Sequence, residues 1–384
     1  MHFGKACLVS LFILALTACG GGSSDGNGDE KQACESYKLY VANRSDNNIS
    51  VVDLCDSVET KTISAGPGVN IWAQDKTHQR IYVSNENSNS ISVLDTESDK
   101  LIVTLTVGAG PRDIAVDDVR GFVYVTNSGD DTVSVYQTTD HLNYNKAVAQ
   151  DIPVGDTPHK VVINTGTGKV YVGMANRDVY ILDGTNLNAA PVVLDITGGG
   201  GNPAIRRMAF NEINKKVYVT RAHSDEDDRV TIINGTAVET TVKVGEGAGA
   251  LNIDDAGNVF TADHDNNTVT RISVVDNSTV RFNVGQQPRG IRVNSAGTTV
   301  YTSTTNDNTV TVVEVSSGSR TAVTVGNTPI NIILTEELKR LYIANRGVNN
   351  AGNTVSVMDT DSNKVVATVT VGTNPRGMRI VKRD

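Results

Sequence analysis

The sequence has few aromatic residues, few cysteines and no long apolar segment after its first twenty positions. Aromatic residues make up 5% of the 384 positions, and there is one tryptophan. No stretch after residue 30 has the apolar spacing of a long amphipathic helix. The 35 glycines and the many Thr, Ser, Asn and Val residues are instead typical of short strands joined by tight turns. We therefore expect an all-β protein.

Motifs that catalysis or cofactor attachment would need are also missing. The chain has no Cys-x-x-Cys-His haem motif, no Gly-rich phosphate loop, no Gly-x-Ser-x-Gly and no His-Glu-x-x-His. The histidines do not have the spacing of a metal motif; they are His2, His78, His141, His159, His223 and His264. We predict no cofactor, no metal and no catalytic residue, and whether the protein is an enzyme stays open.

One pair of loops carries several candidate cation ligands. His223 and His264 follow corresponding strands of neighbouring repeats, and five aspartates lie near them: Asp225, Asp227, Asp228, Asp263 and Asp265. A cation site is one interpretation, but Asp263-x-Asp265-x-Asn267 lacks the rest of a calcium loop. The alternative is an ordinary solvated acidic rim.

The formal net charge of −9 and the lack of any dense Lys/Arg run argue against a nucleic-acid partner. An anionic ligand would need a local basic site.

The first 18 residues have the pattern of a secretory signal. Lys5 provides a positive start, and the apolar run from Ala6 to Leu16 is too short to span a bilayer comfortably. Leu16-Thr17-Ala18-Cys19 resembles a bacterial lipobox, which implies that Cys19 is acylated and becomes the mature N-terminus. Because Gly20 rather than Asp follows, the resemblance implies a lipid-anchored outer-membrane protein, with either the periplasmic or the surface face open.

Residues 19–36 form the predicted linker, and residues 37–384 the folded domain. The Gly, Ser and acidic residues of positions 20–33 favour a flexible tether. Cys34 and Cys55 are the cysteines left in an oxidising compartment, and they flank the ends of two neighbouring predicted strands. We expect them to form a disulfide. Two free buried thiols are the alternative.

The chain is built from repeats of one motif. Its aromatic residue recurs 41 to 47 positions apart, at Tyr40, Tyr82, Tyr124, Tyr171, Tyr218, Phe260, Tyr301 and Tyr342. A period near 42 composed of short strands predicts the blades of a β-propeller.

Tyr124-Val125-Thr126-Asn127, its copies at Tyr82 and Tyr342, and the recurring Val-Gly-x-x-Pro resemble the YVTN-type β-propeller repeat. The resemblance covers residues 38–384 and implies a surface-layer or periplasmic propeller, mostly a binding or scaffold module. Four copies replace the final Asn: Met174, Arg221, Asp263 and Thr304.

Each repeat predicts four strands, as in the third copy. These are residues 113–116, the innermost, then Phe122 to Asn127, Thr132 to Tyr136 and Ala147 to Val154. The first copy begins at its second strand, and Pro375 to Val381 matches an inner strand with no repeat after it. The simplest count is eight blades, with the C-terminus completing the first; seven blades are the alternative.

Two classes of function fit the sequence. The first is a lipid-anchored binding or scaffold propeller, expected to be a monomer, that engages an envelope protein, a glycan or a small anion. The second is a propeller enzyme of the lactonase or quinoprotein type that uses the central channel.

Basic residues recur at the start of the inner strands. From blade one to blade eight the predicted channel-mouth positions are Arg376, Val69, Arg112, His159, Arg206, Gly249, Arg289 and Ile330, with Lys160 and Arg207 one position later. These cations predict a positive collar suited to carboxylate or phosphate ligands. The alternative is that each Arg pairs with an acid or a loop carbonyl of the next blade.

Overall fold

The computed structural model describes residue 34 and residues 36–138, 145–146, 151–176, 178–196, 204–221 and 228–383. The predicted signal, Cys19 and positions 20–33 of the linker lie outside these residues. Within the described part, no helix is both long enough and apolar enough to cross a bilayer. Its two helices are short 3₁₀ turns, at Glu86–Ser88 and Val348–Asn350.

The first half of the chain forms the strands β1 Tyr37–Asn43, β2 Asn48–Asp53, β3 Val58–Ser64, β4 Val69–Asp75, β5 Arg80–Asn85, β6 Ser90–Asp95, β7 Lys100–Thr106, β8 Pro111–Asp117, β9 Phe122–Asn127, β10 Thr132–Gln137, β11 Asn145–Lys146, β12 Ile152–Pro153, β13 Pro158–Asn164, β14 Lys169–Met174, β15 Asp178–Asp183 and β16 Val192–Asp195.

The second half forms β17 Ile205–Asn211, β18 Lys216–Arg221, β19 Arg229–Asn234, β20 Ala237–Lys243, β21 Ala248–Ile253, β22 Val259–Asp263, β23 Thr268–Ile272, β24 Thr279–Asn283, β25 Pro288–Val293, β26 Thr299–Thr304, β27 Thr309–Glu314, β28 Arg320–Thr324, β29 Pro329–Thr335, β30 Arg340–Asn345, β31 Thr354–Asp359, β32 Lys364–Thr370 and β33 Pro375–Lys382.

These strands form eight antiparallel sheets, one for each copy of the motif. Blade one has the order β3-β2-β1-β33, and blade two is β4 to β7. Blade three contains β8 to β12, and blades four to eight follow in groups of four strands. The prediction of an eight-bladed, all-β propeller is confirmed, and the seven-bladed alternative is wrong.

The C-terminal strand closes the ring as predicted. In blade one, β33 pairs with β1 in antiparallel register, with Leu39 opposite Ile380 and Val41 opposite Met378. The innermost strand of the first blade therefore comes from the opposite end of the chain. Such closure leaves no open sheet face at the seam.

Apolar contacts between neighbouring blades explain why the repeats assemble into a ring. Side chains alternate along each second strand, so its two sets of residues face opposite blades. In β1, Tyr40 packs toward blade two, whereas Leu39 and Val41 pack toward blade eight. Eight apolar clusters result, one at each junction between blades. An isolated blade would leave both faces exposed to water.

The motif Asn and the Gly of Val-Gly-x-x-Pro are repeated because they pack against each other. Asn85 donates hydrogen bonds to Ser90 and Ser92 of the next strand, at 3.1 and 2.9 Å. Its Oδ1 accepts the amide of Gly66 at 3.1 Å. A Cβ at Gly66 would lie 2.6 Å from this side chain, so no larger residue fits. The same Asn and Gly pair recurs in other blades.

Blade six replaces this Asn with Asp263, which reverses the direction of the hydrogen bonds. Its carboxyl accepts bonds from Thr261, Thr268 and Thr270 at 2.6 to 2.8 Å. Burial raises the pKa of Asp263 from 3.8 to about 6, although the three hydroxyls favour the charged form. An ionised Asp263 therefore costs stability at neutral pH.

At the outer edge of blade three, positions 147–150 of the strand predicted from Ala147 to Val154 lie outside the described residues, and the described part contains two short strands. The first, β11, pairs with the end of β10 at Tyr136 and Gln137. The second, β12, pairs with its start at Thr132 and Val133.

The predicted disulfide is confirmed. Cys34 and Cys55 are bonded, with their Cα atoms 5.2 Å apart and a sequence separation of 21 residues. The bond ties the segment before β1 to the turn after β2. Closing a loop of this size stabilises the fold by roughly 3 kcal/mol in the chain-entropy model.

A buried polar cluster stabilises the region where β1 and β33, from opposite ends of the folded domain, pair. Asp99, between β6 and β7 of blade two, accepts the Tyr40 hydroxyl at 2.5 Å and pairs with Lys38 at 3.0 Å. Arg383, just after β33, makes an ion pair with Asp99 Oδ1, the same oxygen that accepts the Tyr40 hydroxyl. Charge-assisted bonds of this kind are stronger than neutral ones.

Deletion of residues 375–384 should destabilise the whole ring, because it removes an inner strand that contributes buried residues such as Met378 and Val381. We expect an aggregating protein, or a melting temperature lower by at least about 10 °C, since several buried apolar side chains at about 2 kcal/mol each are lost. Deletion of only Arg383 and Asp384 should lower it by a few degrees. A soluble 375–384 deletion with unchanged melting, followed by circular dichroism, would contradict this closure.

The Asp263→Asn substitution should stabilise the protein, and more at pH 8 than at pH 5. The raised pKa means that the folded state resists ionisation, so stability falls as pH rises from about 4 to about 6 and stays lower above that. At about 1.4 kcal/mol per pKa unit, the gain at pH 8 is on the order of 3 kcal/mol. The reciprocal control, Asn85→Asp, should lower the melting temperature, again more at pH 8. A gain equal at both pH values would show that ionisation of Asp263 is not responsible.

Candidate anion-binding site at the channel mouth

The inner strands of the eight blades surround the central channel. They are β33, β4, β8, β13, β17, β21, β25 and β29, and each contacts the next around the ring. Every inner strand begins beside the motif Asn position of its neighbour: Pro111 lies opposite Asn127, and Pro375 opposite Asn43. Equivalent positions of different blades can therefore be compared directly.

The second residue of each inner strand lies at the channel mouth. From blade one to blade eight these residues are Arg376, Asn70, Arg112, His159, Arg206, Gly249, Arg289 and Ile330. The assignment of Val69 to this set is wrong. Val69 lies opposite Asn85 in the same register as Pro111, and it is buried in the apolar cluster between blades one and two. Asn70 is the equivalent of Arg112.

The structure adds two arginines and one acid that sequence reasoning missed. Arg44, Glu86 and Arg346 each follow the motif Asn directly, after β1, β5 and β30. A comparison of that repeat position across all copies would have revealed them. We call Arg44, Arg112, His159, Arg206, Arg289, Arg346 and Arg376 the collar.

The cations of the collar are close enough to perturb one another. Burial lowers the pKa of Arg376, and the charges of Arg44 and Arg346 lower it further. Burial and then the charges of Arg346 and Arg206 do the same for Arg289.

The positive charges at the channel mouth also act on His159. Burial lowers the pKa of His159, and the neighbouring charges of Arg112, Lys160 and Arg206 add to the effect. His159 is therefore held neutral at a pH where an ordinary histidine would begin to charge.

One carboxylate is shared within the collar. Glu86 contacts Arg44 at 2.6 Å and Arg112 at 3.3 Å. Arg112 thus meets an acid, as the alternative interpretation expects, but the acid belongs to the preceding blade and not to the next one, and the Arg112 side chain remains 46% exposed. Among the described residues, no carboxylate lies within ion-pair distance of the other four arginines: Arg206, Arg289, Arg346 and Arg376.

Acids of the surrounding loops are occupied by the backbone. Asp46, Asp130 and Asp307 accept amide hydrogen bonds at 2.6 Å from the loops that lead into the inner strands. These carboxylates hold the loops in place, and among the described residues none of the three lies within ion-pair distance of a collar arginine. The mouth thus combines six guanidinium groups and one imidazole in a chain whose net charge is −9.

Lys160 and Arg207 occupy the third position of their strands, farther into the channel. Lys160 lies 3.7 Å from Asp113 of blade three. Burial lowers its pKa to about 8 even so, and Arg207 and Arg112 contribute to the shift. The structure thus brings together all seven residues that the sequence singled out at the mouth.

In the described residues, the candidate ligands of the alternative cation site make separate contacts. His264 contacts Asp265 at 2.6 Å, whereas Asp228 accepts the amide of Ala248 at 3.2 Å. The candidate ligands His223, Asp225 and Asp227 lie outside the described residues, as does His141. In the described part, no group of three or more His, Cys, Asp and Glu side chains is arranged to hold a metal. Trp72 packs against the apolar cluster between blades one and two.

Comparisons with known proteins agree on the fold. A family model of lactonases, described as a seven-bladed β-propeller, matches residues 73–163. That segment covers about two of the eight blades. A comparison with curated proteins gave no match.

Several solved structures share the architecture. A dihydro-haem d1 dehydrogenase, NirN, in complex with DHE has a TM-score of 0.72 and 13% identity, over 90% of this chain and 75% of that one. AztD from Citrobacter koseri has a TM-score of 0.64 and 14% identity, over 90% and 97% of the chains. The hydrazine synthase of Kuenenia stuttgartiensis has a TM-score of 0.56 and 18% identity, over 78% and 98%. At these identities the likeness shows a shared propeller fold.

Proposed function

We propose that this protein is a binding propeller of the bacterial cell envelope that takes a small anion at the mouth of its channel. The observation that carries the proposal is the collar: four of its six arginines have no carboxylate partner among the described residues, although the chain as a whole is acidic. If the ring of arginines had only a structural role, we would expect acids spaced around it to neutralise its charge. Unpaired guanidinium groups facing one opening suit carboxylate or phosphate groups, which they bind through paired hydrogen bonds.

The physical environment of the collar favours a ligand over a surface partner. Five of its residues lie at the second positions of inner strands, which are held rigidly by pairing on one side and blade packing on the other, and Arg44 and Arg346 directly follow the paired strands β1 and β30. Preorganised donors lose little conformational entropy when they bind. A solved structure of the same fold, NirN, is a complex with DHE, so a propeller of this kind is compatible with ligand binding.

The anion proposal is tested by calorimetry and thermal melting with phosphate or citrate against chloride at equal ionic strength. We expect the wild-type protein to bind these anions and to melt at a higher temperature in their presence. Arg112→Ala with Arg289→Ala should reduce affinity at least about tenfold, because each charge-assisted contact contributes 1.5 to 3 kcal/mol. The matched control removes two exposed cations elsewhere, Lys215→Ala with Arg320→Ala, and should bind normally.

His159 gives a second signal for the same event. An anion placed among the cations that lower its pKa should raise that pKa, and NMR titration of the ring measures the change directly. Equal melting in chloride, phosphate and citrate, together with an unchanged His159 titration, would refute the proposal.

We further propose that Cys19 carries the lipid that holds the propeller at a membrane. The support is the lipobox-like Leu16-Thr17-Ala18-Cys19 after a short apolar run, followed by a Gly/Ser-rich tether. A Cys19→Ala variant should therefore be released from the membrane fraction, whereas Cys7→Ala, upstream in the signal, should fractionate as wild type. Retention of Cys19→Ala in membranes would contradict acylation at this position.

A further inference from the structure

A second group of arginines lies deeper in the channel than the collar. Arg292 of β25 and Arg379 of β33 occupy the fifth positions of their strands, opposite Tyr301 and Tyr40 of the second strands. Arg207 of β17 lies at the third position. We call Arg207, Arg292 and Arg379 the inner cluster. The sequence analysis had identified Arg207 alone, because it compared only the first positions of the inner strands.

The inner cluster meets across the lumen. Its members belong to blades five, seven and one, and no two of these blades are neighbours. The pKa of Arg292 is lowered to about 10, mostly by burial and in part by the charges of Arg207 and Arg379. Because blades six and eight separate the three strands, this coupling acts through the channel and not along a junction between blades. The three guanidinium groups therefore face a common space.

The described residues supply only neutral partners to the inner cluster. Arg379 donates to the side-chain oxygen of Gln74 at 3.1 Å, and Arg292 donates to the carbonyl of Ile291 at 2.7 Å. The acid closest to this level, Asp113, is engaged by Lys160 at 3.7 Å and by the amide of Val161 at 3.2 Å. No carboxylate of the described part lies within ion-pair distance of an inner-cluster arginine.

Arg292 and Arg379 are partly buried, and Arg207 is exposed. Like charges repel one another, and an uncompensated buried charge is costly. A multivalent anion among the three guanidinium groups would replace that repulsion with charge-assisted hydrogen bonds.

The collar and the inner cluster are separated by a distance that one ligand can span. Five collar residues occupy the second position of their inner strands, whereas Arg292 and Arg379 occupy the fifth. At a rise of about 3.3 Å per residue, the two levels lie about 10 Å apart along the strand. Arginine side chains extending from both levels shorten the gap that a ligand must bridge.

We propose that Arg207, Arg292 and Arg379 form a second anion subsite below the collar, so that the ligand is an extended anion with charged groups at both levels. The class is a polycarboxylate or an oligophosphate, which share the oxyanion chemistry that guanidinium groups recognise. This inference rests on the proposed function, since a ligand must first enter through the collar.

Calorimetric titrations with matched ligands of low and high valence test the inference: phosphate against tripolyphosphate, and acetate against propane-1,2,3-tricarboxylate. We expect the wild-type protein to bind at least one of the ligands with three anionic groups ten or more times more tightly than its counterpart with one such group. Trivalent and monovalent here count phosphate or carboxylate groups. Arg292→Met, which keeps the length of the side chain, should abolish most of that preference and leave monovalent binding within about twofold. Arg320→Met, outside the channel, should behave as wild type. The trivalent ligand that binds more tightly shows whether the natural ligand carries carboxylate or phosphate groups.

A measurement without ligand guards against a folding defect. In low-salt buffer Arg292→Met should melt at or above the wild-type temperature, because repulsion within the inner cluster is relieved, and added salt should reduce the difference. If Arg292→Met folds and retains the full preference for the trivalent ligand, or weakens monovalent and trivalent binding equally, the second subsite is refuted and the collar proposal stands. If the wild-type protein binds none of these anions, both proposals fall.

Discussion

Apolar packing between adjacent blades is the interaction on which the rest of this structure depends. Each sheet has two apolar faces, because residues of the second strand alternate between the junctions on either side. Tyr40 faces blade two, and Leu39 faces blade eight. Every apolar face is buried only when the last sheet packs against the first. The pairing of β33 with β1 provides that closure. Ring closure then brings the first residues of eight inner strands to one opening.

The channel follows from this geometry, but its charge does not. Nothing in blade packing requires arginine at the mouth: equivalent positions hold Asn70, Gly249 and Ile330, and the blades that carry them pack as well as the others. The arginines therefore impose an electrostatic cost that the fold does not demand. Burial first, and repulsion from neighbouring arginines second, lower the pKa values of Arg289, Arg292 and Arg376. Sites that retain such unfavourable charge are candidates for function.

The sequence was sufficient to predict the fold because residues with the same structural role recur in the repeats. The motif Asn fills the space left by the Gly of Val-Gly-x-x-Pro, so the two patterns recur together, and the missing first strand predicts closure by the C-terminus. The disulfide followed from its position beside two paired strands. In blade three the sequence predicted the region of β12 but not β11, whose two residues precede the strand expected from Ala147.

The site was predicted only in part. Comparison of one repeat position found Arg112, Arg206, Arg289 and Arg376, but misaligned blade two by one residue at Val69. It missed Arg44 and Arg346, which come from another loop, and Arg292 and Arg379, which lie three residues farther along the inner strand. Residues from distant repeat positions converge only because the ring curves around one axis, and a linear sequence does not display that curvature.

The most direct test of this account is to locate a bound anion in a crystal. Anomalous diffraction from crystals of the mature domain soaked in tungstate, an oxyanion with a strong signal, would locate every bound ion without assumptions about the natural ligand. We expect tungsten peaks on the channel axis, within contact distance of collar arginines such as Arg289 and Arg376. Peaks confined to the outer surface of the blades, with none in the channel, would contradict the central claim that this propeller is built around an anion site.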